Sequence, residues 1–335
     1  MKDSQEEVTR ILLCRLGGIG DVVHTLPLAK FLKKKHKYAS VEYLTSSNVA
    51  PILENYCPYL DRVWSFDKKN KAKIANEINL EKNKVDYFFN LHSSLSFFFF
   101  NLFYIRANRF FQYKKNNRLH AVVNFVSIYD PNISAFEIDS KVLIDDRDEL
   151  ELLKTYGLLS RNYICLVPGV GKVRLNRAWP ISRWSELARG LLKLNPNLKV
   201  VYLGGPDEQS LINKFSNIGD GVVNLIGALN LLDTTRIISR AANLISCDTG
   251  LLHLAAGLSV NNVGLYGPTK LERSGPFTSN CHLVTANDCK CRGVLDGAKS
   301  CIKTKERHGY CMEDIEIEDI LSKLNFSCGL VRTSV

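Results

Sequence analysis

The chain has 335 residues, of which 45% are hydrophobic, and a formal net charge of +10. This length and composition supply enough apolar side chains for two hydrophobic cores. No apolar run approaches the roughly 20 residues that span a bilayer, and residues 1–10 are too polar and acidic for a signal peptide. The sequence therefore predicts a cytoplasmic protein with an anionic partner. Nucleic acid is not expected, because zinc-finger spacing, an RNA-recognition motif and a basic helical stripe are all missing.

Strand-like and helical segments alternate in the first half of the chain. Residues 11–16 form a short apolar run, and a glycine-rich loop follows at 17–21. The apolar periodicity after this loop predicts a helix through Phe31. Further strands are predicted at 41–44 and 85–89. Strands separated by helices favour a parallel sheet with helices on both faces.

The glycine-rich loop differs from a dinucleotide-binding fingerprint. Counting from Gly18 and Gly20, the third glycine would fall at position 23, where the chain has Val23, and no Walker lysine follows. We expect Gly18 and Gly20 to let a ligand approach the backbone closely. Asp21 at the end of the loop is interpreted either as a helix cap or as a carboxylate that faces this ligand.

A basic and aromatic segment lies between Asp86 and Asp130, where no acidic residue occurs. Its basic residues are Arg106, Arg109, Lys114, Lys115 and Arg118, and its aromatic residues include Phe97, Phe98, Phe99, Phe100, Phe103, Tyr104, Phe110 and Phe111. Such a segment can lie on an anionic membrane surface or face an acidic glycolipid. The alternative is a buried helix with a solvated basic end.

The strand and helix pattern restarts after residue 157. Strands are predicted at 163–167, 198–203 and 222–225, with helices at 184–194 and through Leu211. We therefore predict two doubly wound units joined near 157–161, with one domain at 1–158 and the other at 159–335. Sheets of this kind bind ligands at the carboxyl ends of their strands.

Two polar segments in the second half are candidates for ligand binding. Residues 168–176 form a glycine-containing loop, and Lys172, Arg174 and Arg177 provide positive charge in or beside it. Residues 204–208 end in Asp207 and Glu208 after a predicted strand. For the loop cations the alternative is a solvated basic loop, and Asp207 could instead cap the helix that follows.

The stretch from 246 to 276 is the most informative part of the chain. Asp248, Thr249 and Gly250 lie where a predicted strand meets a predicted helix. A carboxylate, a hydroxyl and open backbone N–H groups at a helix N-terminus favour binding of an anion such as a diphosphate. Asp248 or Thr249 could instead simply cap the helix. A cap does not explain His253, which is predicted about one helical turn further on.

Ten cysteines in a chain predicted to be cytoplasmic argue against a disulfide framework. Cys14, Cys165 and Cys247 lie in or beside strand-like runs and are predicted to be small core residues. A second group occurs in a polar segment near the end of the chain: Cys289, Cys291, Cys301 and Cys311. Four thiolates can hold a structural metal. The Cys-x-Cys spacing of Cys289 and Cys291 is shorter than the usual Cys-x-x-Cys spacing of metal ligands, which argues against such a site. The alternative is that these cysteines are reduced, packed or redox-labile.

The second-half stretch resembles the signature of glycosyltransferase family 9, the bacterial heptosyltransferases that build the lipopolysaccharide core. The matching residues are Asp248, Thr249, Gly250, His253, Tyr266, Gly267, Pro268, Thr269, Gly275 and Pro276. In the first half, Gly20-Asp21-Val22 and His24-Thr25-Leu26-Pro27 also match. The chain differs from the common family pattern at Gly17 and Gly18, at Arg177, where a lysine is typical, and at Lys270 and Leu271.

The resemblance implies an inverting glycosyltransferase with the GT-B fold, in which two Rossmann-like domains face a central cleft. It implies that Asp21 is the general base, that Arg177 stabilises the leaving diphosphate and that Glu208 binds the nucleotide ribose. Donor contacts are also implied for Asp248, Thr249, Gly250 and His253, with no cofactor and no catalytic metal.

The expected donor is ADP-heptose, and the expected acceptor is the anionic inner core of lipopolysaccharide, a glycolipid. Binding of this acceptor would bring the protein to the cytoplasmic face of the inner membrane as a peripheral protein. The alternatives are a protein O-heptosyltransferase, transfer of another nucleotide sugar on the same fold, and a non-enzymatic protein that binds a membrane surface or nucleic acid.

Overall fold

The structure is a computed structural model that describes residues 8–81, 83–145, 151–172, 174–215, 218–287, 289, 291–292 and 310–324. The chain divides into two compact units, Met1–Asp145 and Asp146–Val335. Each unit contains a parallel β-sheet with helices in the connections between its strands. The boundary expected from sequence, between 158 and 159, lies inside the second unit, after a helix at Glu151–Thr155.

The first unit contains a five-stranded sheet in the order β3-β2-β1-β4-β5, in which all neighbours pair in parallel. Its strands are β1 (Arg10–Cys14), β2 (Ser40–Ser46), β3 (Arg62–Phe66), β4 (Tyr87–Asn90) and β5 (Arg109–Gln112). Its helices are α1 (Ile19–Val23), α2 (Leu26–Lys35), α3 (Ala50–Tyr56), α4 (Lys71–Asn79), α5 (Ser96–Phe100) and α6 (Ala121–Val126). A π-helical turn at Asn101–Ile105 directly follows α5, and 3₁₀ turns occur at Lys68–Asn70 and Ala135–Glu137.

Alternating side chains of this sheet build a core on each face. Leu12 and Phe88 belong to one core, which also contains Ile78 of α4 and Phe97 of α5. The opposite face includes Phe89, which contacts Tyr129 at 6.3 Å between ring centroids. Phe31 of α2 contacts the same tyrosine ring. Helices α2 and α4 therefore lie on opposite faces of the sheet, as expected for a doubly wound fold.

The second unit contains a six-stranded parallel sheet in the order β11-β10-β9-β6-β7-β8. Its strands are β6 (Tyr163–Val167), β7 (Lys199–Tyr202), β8 (Val222–Asn224), β9 (Asn243–Cys247), β10 (Asn262–Tyr266) and β11 (Cys281–Thr285). Its helices are α7 (Glu151–Thr155), α8 (Ile181–Leu194), α9 (Leu231–Ser239), α10 (Gly250–Gly257), α11 (Leu271–Ser274) and α12 (Ile317–Ser322). Turns of 3₁₀ helix occur at Leu175–Arg177, Pro206–Lys214 and Tyr310–Asp314.

Two tryptophans organise one core of the second unit. Trp179 and Trp184 are fully buried and meet edge to face at 5.2 Å. The Trp179 indole donates a hydrogen bond to the Ile315 carbonyl, and Tyr202 donates one to the Trp184 carbonyl. The segment that ends in α12 is thereby held against the loop before α8.

Both sheets reverse their strand order between two central strands. In the first sheet β1 lies between β2 and β4, and in the second sheet β6 lies between β7 and β9. At such a switch point the loops at the carboxyl ends of neighbouring strands run to opposite faces and leave a crevice, which is where ligands bind in open α/β sheets. The glycine-rich loop follows β1, and Asp248 follows β9. The loop at 17–21 and Asp248 therefore both lie at switch points.

Several elements differ in detail from the sequence predictions. The helix expected through Phe31 is two helices, α1 and α2, because Thr25 bonds back to the Val22 carbonyl and Pro27 lies in the first turn of a new helix. The helix expected through Leu211 is 3₁₀ rather than α-helical. The burial of Cys14, Cys165 and Cys247 is confirmed.

The basic and aromatic segment is only partly the buried helix with a solvated basic end that was one interpretation of its sequence. Phe97 and Phe100 are buried, whereas Phe99 and Phe103 are more than half exposed. Among the described residues, no helix combines the length and the apolar character needed to cross a membrane.

Candidate functional site

The glycine-rich loop of the first unit holds Asp21 on the first turn of α1. Gly18 is the N-cap residue, and no side chain of the described residues caps this helix. Asp21 therefore does not act as the helix cap that its position also suggested. Its side chain is 58% exposed, so the carboxylate is accessible from solvent. A Cβ atom at Gly17 would lie 3.3 Å from Asp21 Oδ2, so the small residue leaves this carboxylate room.

Arg15 is the partner of Asp21. Its Nη2 lies 3.3 Å from Asp21 Oδ1, and its Nη1 donates a 2.6 Å hydrogen bond to the Leu91 carbonyl. The guanidinium also lies over the Phe125 ring, 5.9 Å from its centroid. Arg15 is thus ordered by several contacts and fixes the direction of the Asp21 carboxylate.

His92 anchors the beginning of the same loop. Its Nε2 accepts a 2.7 Å hydrogen bond from the Leu16 N–H, and its ring stacks on Phe97 at 5.1 Å. Burial and the nearby Arg15 charge lower the pKa of His92 to about 4. The ring is therefore neutral at pH 7 and can accept this bond. Sequence reasoning did not assign roles to Arg15 and His92, and their positions at the carboxyl ends of β1 and β4 are the signal that could have found them.

In the second unit Asp248 is the centre of a buried polar cluster. Arg177 Nη1 lies 2.5 Å from Asp248 Oδ2, and Thr269 Oγ1 donates a 2.7 Å hydrogen bond to the same oxygen. His253 Nε2 lies 3.5 Å from Oδ1. Thr269 was part of the sequence pattern but had no predicted contact. The cluster brings Arg177, predicted from the basic loop, together with Asp248 and His253, predicted from the 246–276 stretch.

The cluster keeps Asp248 ionised although its side chain is only 7% exposed. Burial on its own would raise the pKa of this carboxyl, but the His253 hydrogen bond, the Arg177 charge and the Thr269 hydroxyl lower it to about 2. The site thus contains a fixed carboxylate and a fixed guanidinium in a place that water hardly reaches. In such surroundings charges act strongly on a ligand.

Thr249 takes the capping role at the start of α10. Its hydroxyl accepts a 3.4 Å hydrogen bond from the Leu252 N–H and lies 2.8 Å from Ser246 Oγ. The helix begins at Gly250, which adds no side chain in front of the helix N-terminus. Of the two capping candidates, Thr249 therefore caps α10, and Asp248 pairs with Arg177 instead. The N-terminus of α10 adds positive potential beside the guanidinium.

Glu208 lies in the first turn of the 3₁₀ helix that follows β7. Its carboxylate accepts hydrogen bonds from the Gly205 N–H at 3.0 Å and from the Gly171 N–H at 3.1 Å. A Cβ atom at Gly169 would overlap this carboxylate, so the chain needs glycine there. Glu208 lines a cavity of about 650 Å³, whose wall also includes Trp179 and Ile181. A cavity of this size and apolar character suits a nucleoside-sized ligand.

The remaining candidates are more peripheral. Lys172 also lines this cavity but is exposed, 3.8 Å from the Asp207 carboxylate, and Arg174 is exposed. Asp207 does not cap the turn that follows, because Gly205 is its N-cap residue.

Three of the four clustered cysteines lie within the described residues. The Cys289 and Cys311 sulfurs are 3.0 Å apart, and Cys291 is buried. Cys301 lies outside the described residues. Within the described part of the chain, no group of three or more His, Cys, Asp or Glu side chains is arranged to hold a metal ion.

Comparisons with known proteins place this geometry in a family. The model of glycosyltransferase family 9 (heptosyltransferase) matches residues 101–300, more than half of the chain. The chain is 22% identical to lipopolysaccharide heptosyltransferase 1 of Campylobacter coli, over 93% of this chain and 97% of that protein.

Two solved structures show the same fold along nearly the whole chain. The first, E. coli ADP-heptose lps heptosyltransferase II, has a TM-score of 0.76 at 17% identity and covers 95% of this chain and 98% of that one. The second, a family 9 glycosyltransferase from Veillonella parvula, has a TM-score of 0.77 at 20% identity and covers 95% and 97%.

Two parallel, doubly wound sheets that match these structures define a GT-B glycosyltransferase fold, and the fold class predicted from the sequence is confirmed. The chain belongs to glycosyltransferase family 9, the heptosyltransferase family. It is accordingly an enzyme, as the sequence predicted.

Proposed function

We propose that this enzyme transfers heptose, with inversion, from ADP-heptose to the inner core of lipopolysaccharide. The observation that carries the proposal is the buried Arg177–Asp248 pair beside the N-terminus of α10, in a chain of the heptosyltransferase family. ADP-heptose and lipopolysaccharide occur in the names of the similar proteins, and both are anionic. A net charge of +10 suits two anionic substrates.

The second unit is the proposed donor-binding domain. Arg177 and the backbone at Gly250 would contact the diphosphate, since a guanidinium and a helix N-terminus both favour phosphate. Glu208 would accept hydrogen bonds from the ribose hydroxyls, because its two present bonds from backbone N–H groups leave further lone pairs on the carboxylate.

Charge development on the leaving group explains why the cation is fixed in advance. As the glycosidic bond to the diphosphate breaks, negative charge grows on the phosphate oxygens. A guanidinium held in place by Asp248 stabilises that charge without reorganising. Arginine at 177, where lysine is typical of the family, keeps the charge and adds a bidentate geometry.

The first unit is the proposed acceptor-binding domain, and Asp21 is the proposed general base. The attacking acceptor hydroxyl must lose a proton as it bonds to the anomeric carbon, and the exposed Asp21 carboxylate can take it. Gly18 is exposed and leaves the backbone beside Asp21 open to the acceptor, whereas Gly20, the other glycine predicted to do so, is buried in α1. Because the acceptor is a glycolipid, we place the enzyme at the cytoplasmic face of the inner membrane as a peripheral protein.

The test is transfer from ADP-heptose to purified heptose-deficient lipopolysaccharide core, with linkage analysis of the product. We expect Asp21→Asn to lower kcat at least about 100-fold, as loss of a general base does, with unchanged affinity for ADP. Glu54→Gln is the matched control, because Glu54 is an exposed carboxylate of α3 in the same unit.

Full turnover by Asp21→Asn would refute the base assignment. Transfer only to a protein hydroxyl, or only from another nucleotide sugar, would refute the substrate assignment while leaving the catalytic roles intact.

A further inference from the structure

Six large apolar side chains are exposed on α5, its N-cap residue and the π-helical turn that follows. We call these residues the aromatic surface: Leu95, Phe98, Phe99, Leu102, Phe103 and Tyr104. Their exposed fractions lie between 38% and 62%. Phe99 stacks on Phe103, and Phe98 meets Phe99 edge to face. Neighbouring rings thus share one solvent-facing patch.

The other side of the same segment fastens it to the fold. Phe97, Phe100 and Ile105 are buried in the core beside α4. Phe66 of β3 contacts both Phe97 and Phe100 at ring-centroid distances below 6 Å. The buried residues therefore account for the position of the segment. The aromatic surface contributes little to this core, and exposed apolar patches of this kind mark interaction sites.

Positive charge flanks the aromatic surface at both of its ends. Arg106 directly follows the π-helical turn and is exposed. Gln112 donates a hydrogen bond to the His92 carbonyl, which ties the carboxyl end of β5 to the beginning of the α5 segment. The exposed residues after β5 include Lys114, Lys115 and Arg118. No acidic residue occurs between Asp86 and Asp130, so the sequence of this region contains cations only.

We propose that the aromatic surface docks on an anionic lipid bilayer. Aromatic and leucine side chains partition into the boundary between headgroups and acyl chains, while arginine and lysine beside them pair with lipid phosphates. A second copy of the chain fits less well, because a two-fold contact through this face would bring like cations together. The proposal concerns lipid binding alone and does not depend on the transfer reaction.

The experiment is sedimentation of the full chain with vesicles of phosphatidylglycerol and phosphatidylcholine, compared with vesicles of phosphatidylcholine alone. We expect binding to the anionic vesicles, weakened by salt. Phe99→Ser/Phe103→Ser should lower the partition coefficient about ten-fold or more, because half of each ring's surface is lost from the contact. Lys114→Gln/Lys115→Gln should weaken binding and reduce its dependence on salt.

Phe136→Ser is the matched control. Phe136 is fully exposed, but it lies in the 3₁₀ turn shortly before Asp139, which pairs with Lys30 of α2 on the other face of the sheet. Its replacement should change vesicle binding less than about two-fold, as expected for an isolated exposed ring. All these substitutions are at exposed positions, so the fold should be retained, and circular dichroism verifies this.

Three results would overturn the proposal. The first is no preference for the anionic vesicles, and the second is unchanged binding by Phe99→Ser/Phe103→Ser. The third is a dimer in lipid-free solution that this double variant converts to a monomer, in a chain that does not bind vesicles. The last result would assign the aromatic surface to contact between copies. Loss of transfer activity with vesicle binding intact would leave the proposal standing.

Discussion

Replacing Arg177 with methionine removes the cation that lies 2.5 Å from Asp248 Oδ2. The Asp248 side chain is only 7% exposed, so water cannot take the place of the guanidinium. Breaking a buried ion pair from one side typically lowers the free energy of unfolding by about 3–5 kcal/mol. Thr269 and His253 still face the carboxylate, so we expect the lower end, about 3 kcal/mol at pH 7.

A second substitution separates lost charge pairing from lost packing. In Arg177→Met/Asp248→Asn the buried group is neutral, and its carbonyl can still accept from Thr269. We expect the double variant to recover about half of the lost stability, on the order of 1.5 kcal/mol. A packing defect at residue 177 would persist in both variants.

Urea unfolding followed by tryptophan fluorescence measures the effect, because Trp179 and Trp184 are both buried in the same unit as the pair. Arg183→Met is the matched control: Arg183 pairs with Glu316, but the two side chains are 30% and 51% exposed. That variant should lose less than about 1 kcal/mol. The reasoning fails if Arg177→Met is as stable as Arg183→Met, or if the double variant is no more stable than Arg177→Met.

Three further predictions follow from the two units. The pKa of Asp248 is about 2 when folded against 3.8 for the free group, so its contribution is present above about pH 4 and is lost as the pH falls through about 2. Urea unfolding at a series of acidic pH values should show that the free energy of unfolding falls by an amount on the order of 2 kcal/mol in the wild type but not in Asp248→Asn. Gly169→Ala places a Cβ atom on the Glu208 carboxylate and should weaken ADP binding about ten-fold in calorimetry. Gly205→Ala is the control and should bind ADP normally, because its Cβ atom would have no neighbour within 4 Å. Equal affinities would show that Glu208 does not contact the nucleotide. Glu42→Gln breaks a buried ion pair with Arg10 of β1. We expect it to lower the free energy of unfolding of the first unit by about 3 kcal/mol, measured by circular dichroism in urea. A decrease below about 1 kcal/mol would contradict this prediction.

The parallel sheets were predictable because fully buried parallel strands are short apolar runs separated by helical patterns. Residues 163–167 and β6 coincide for this reason. The break between α1 and α2 was not predictable from periodicity, since it depends on the Thr25 hydroxyl, which bonds to both Val22 and Tyr43. The aromatic segment shows a similar limit. Four consecutive phenylalanines carry no periodic signal, so the split between buried and exposed rings depends on what β3 and α4 place against them.

The candidate sites were partly predictable for a related reason. Glycine loops and an Asp-Thr-Gly junction after apolar runs mark the carboxyl ends of strands, and the switch points then bring these ends to the crevices. The pairing of Arg177 with Asp248 needs the strand order, because the two residues are far apart in sequence. The same is true of His92, which is brought to the Leu16 N–H only by the pairing of β1 with β4.

The Arg177–Asp248 pair has an entropic consequence for any anion that binds there. A free arginine side chain carries about 2 kcal/mol of rotamer entropy, which an anion must normally overcome when it immobilises the guanidinium. Here Asp248 and the surrounding burial have already immobilised it during folding. This entropy loss lowers the free energy of unfolding of the second unit. It does not lower the affinity for the anion, because the side chain is already ordered when the anion binds.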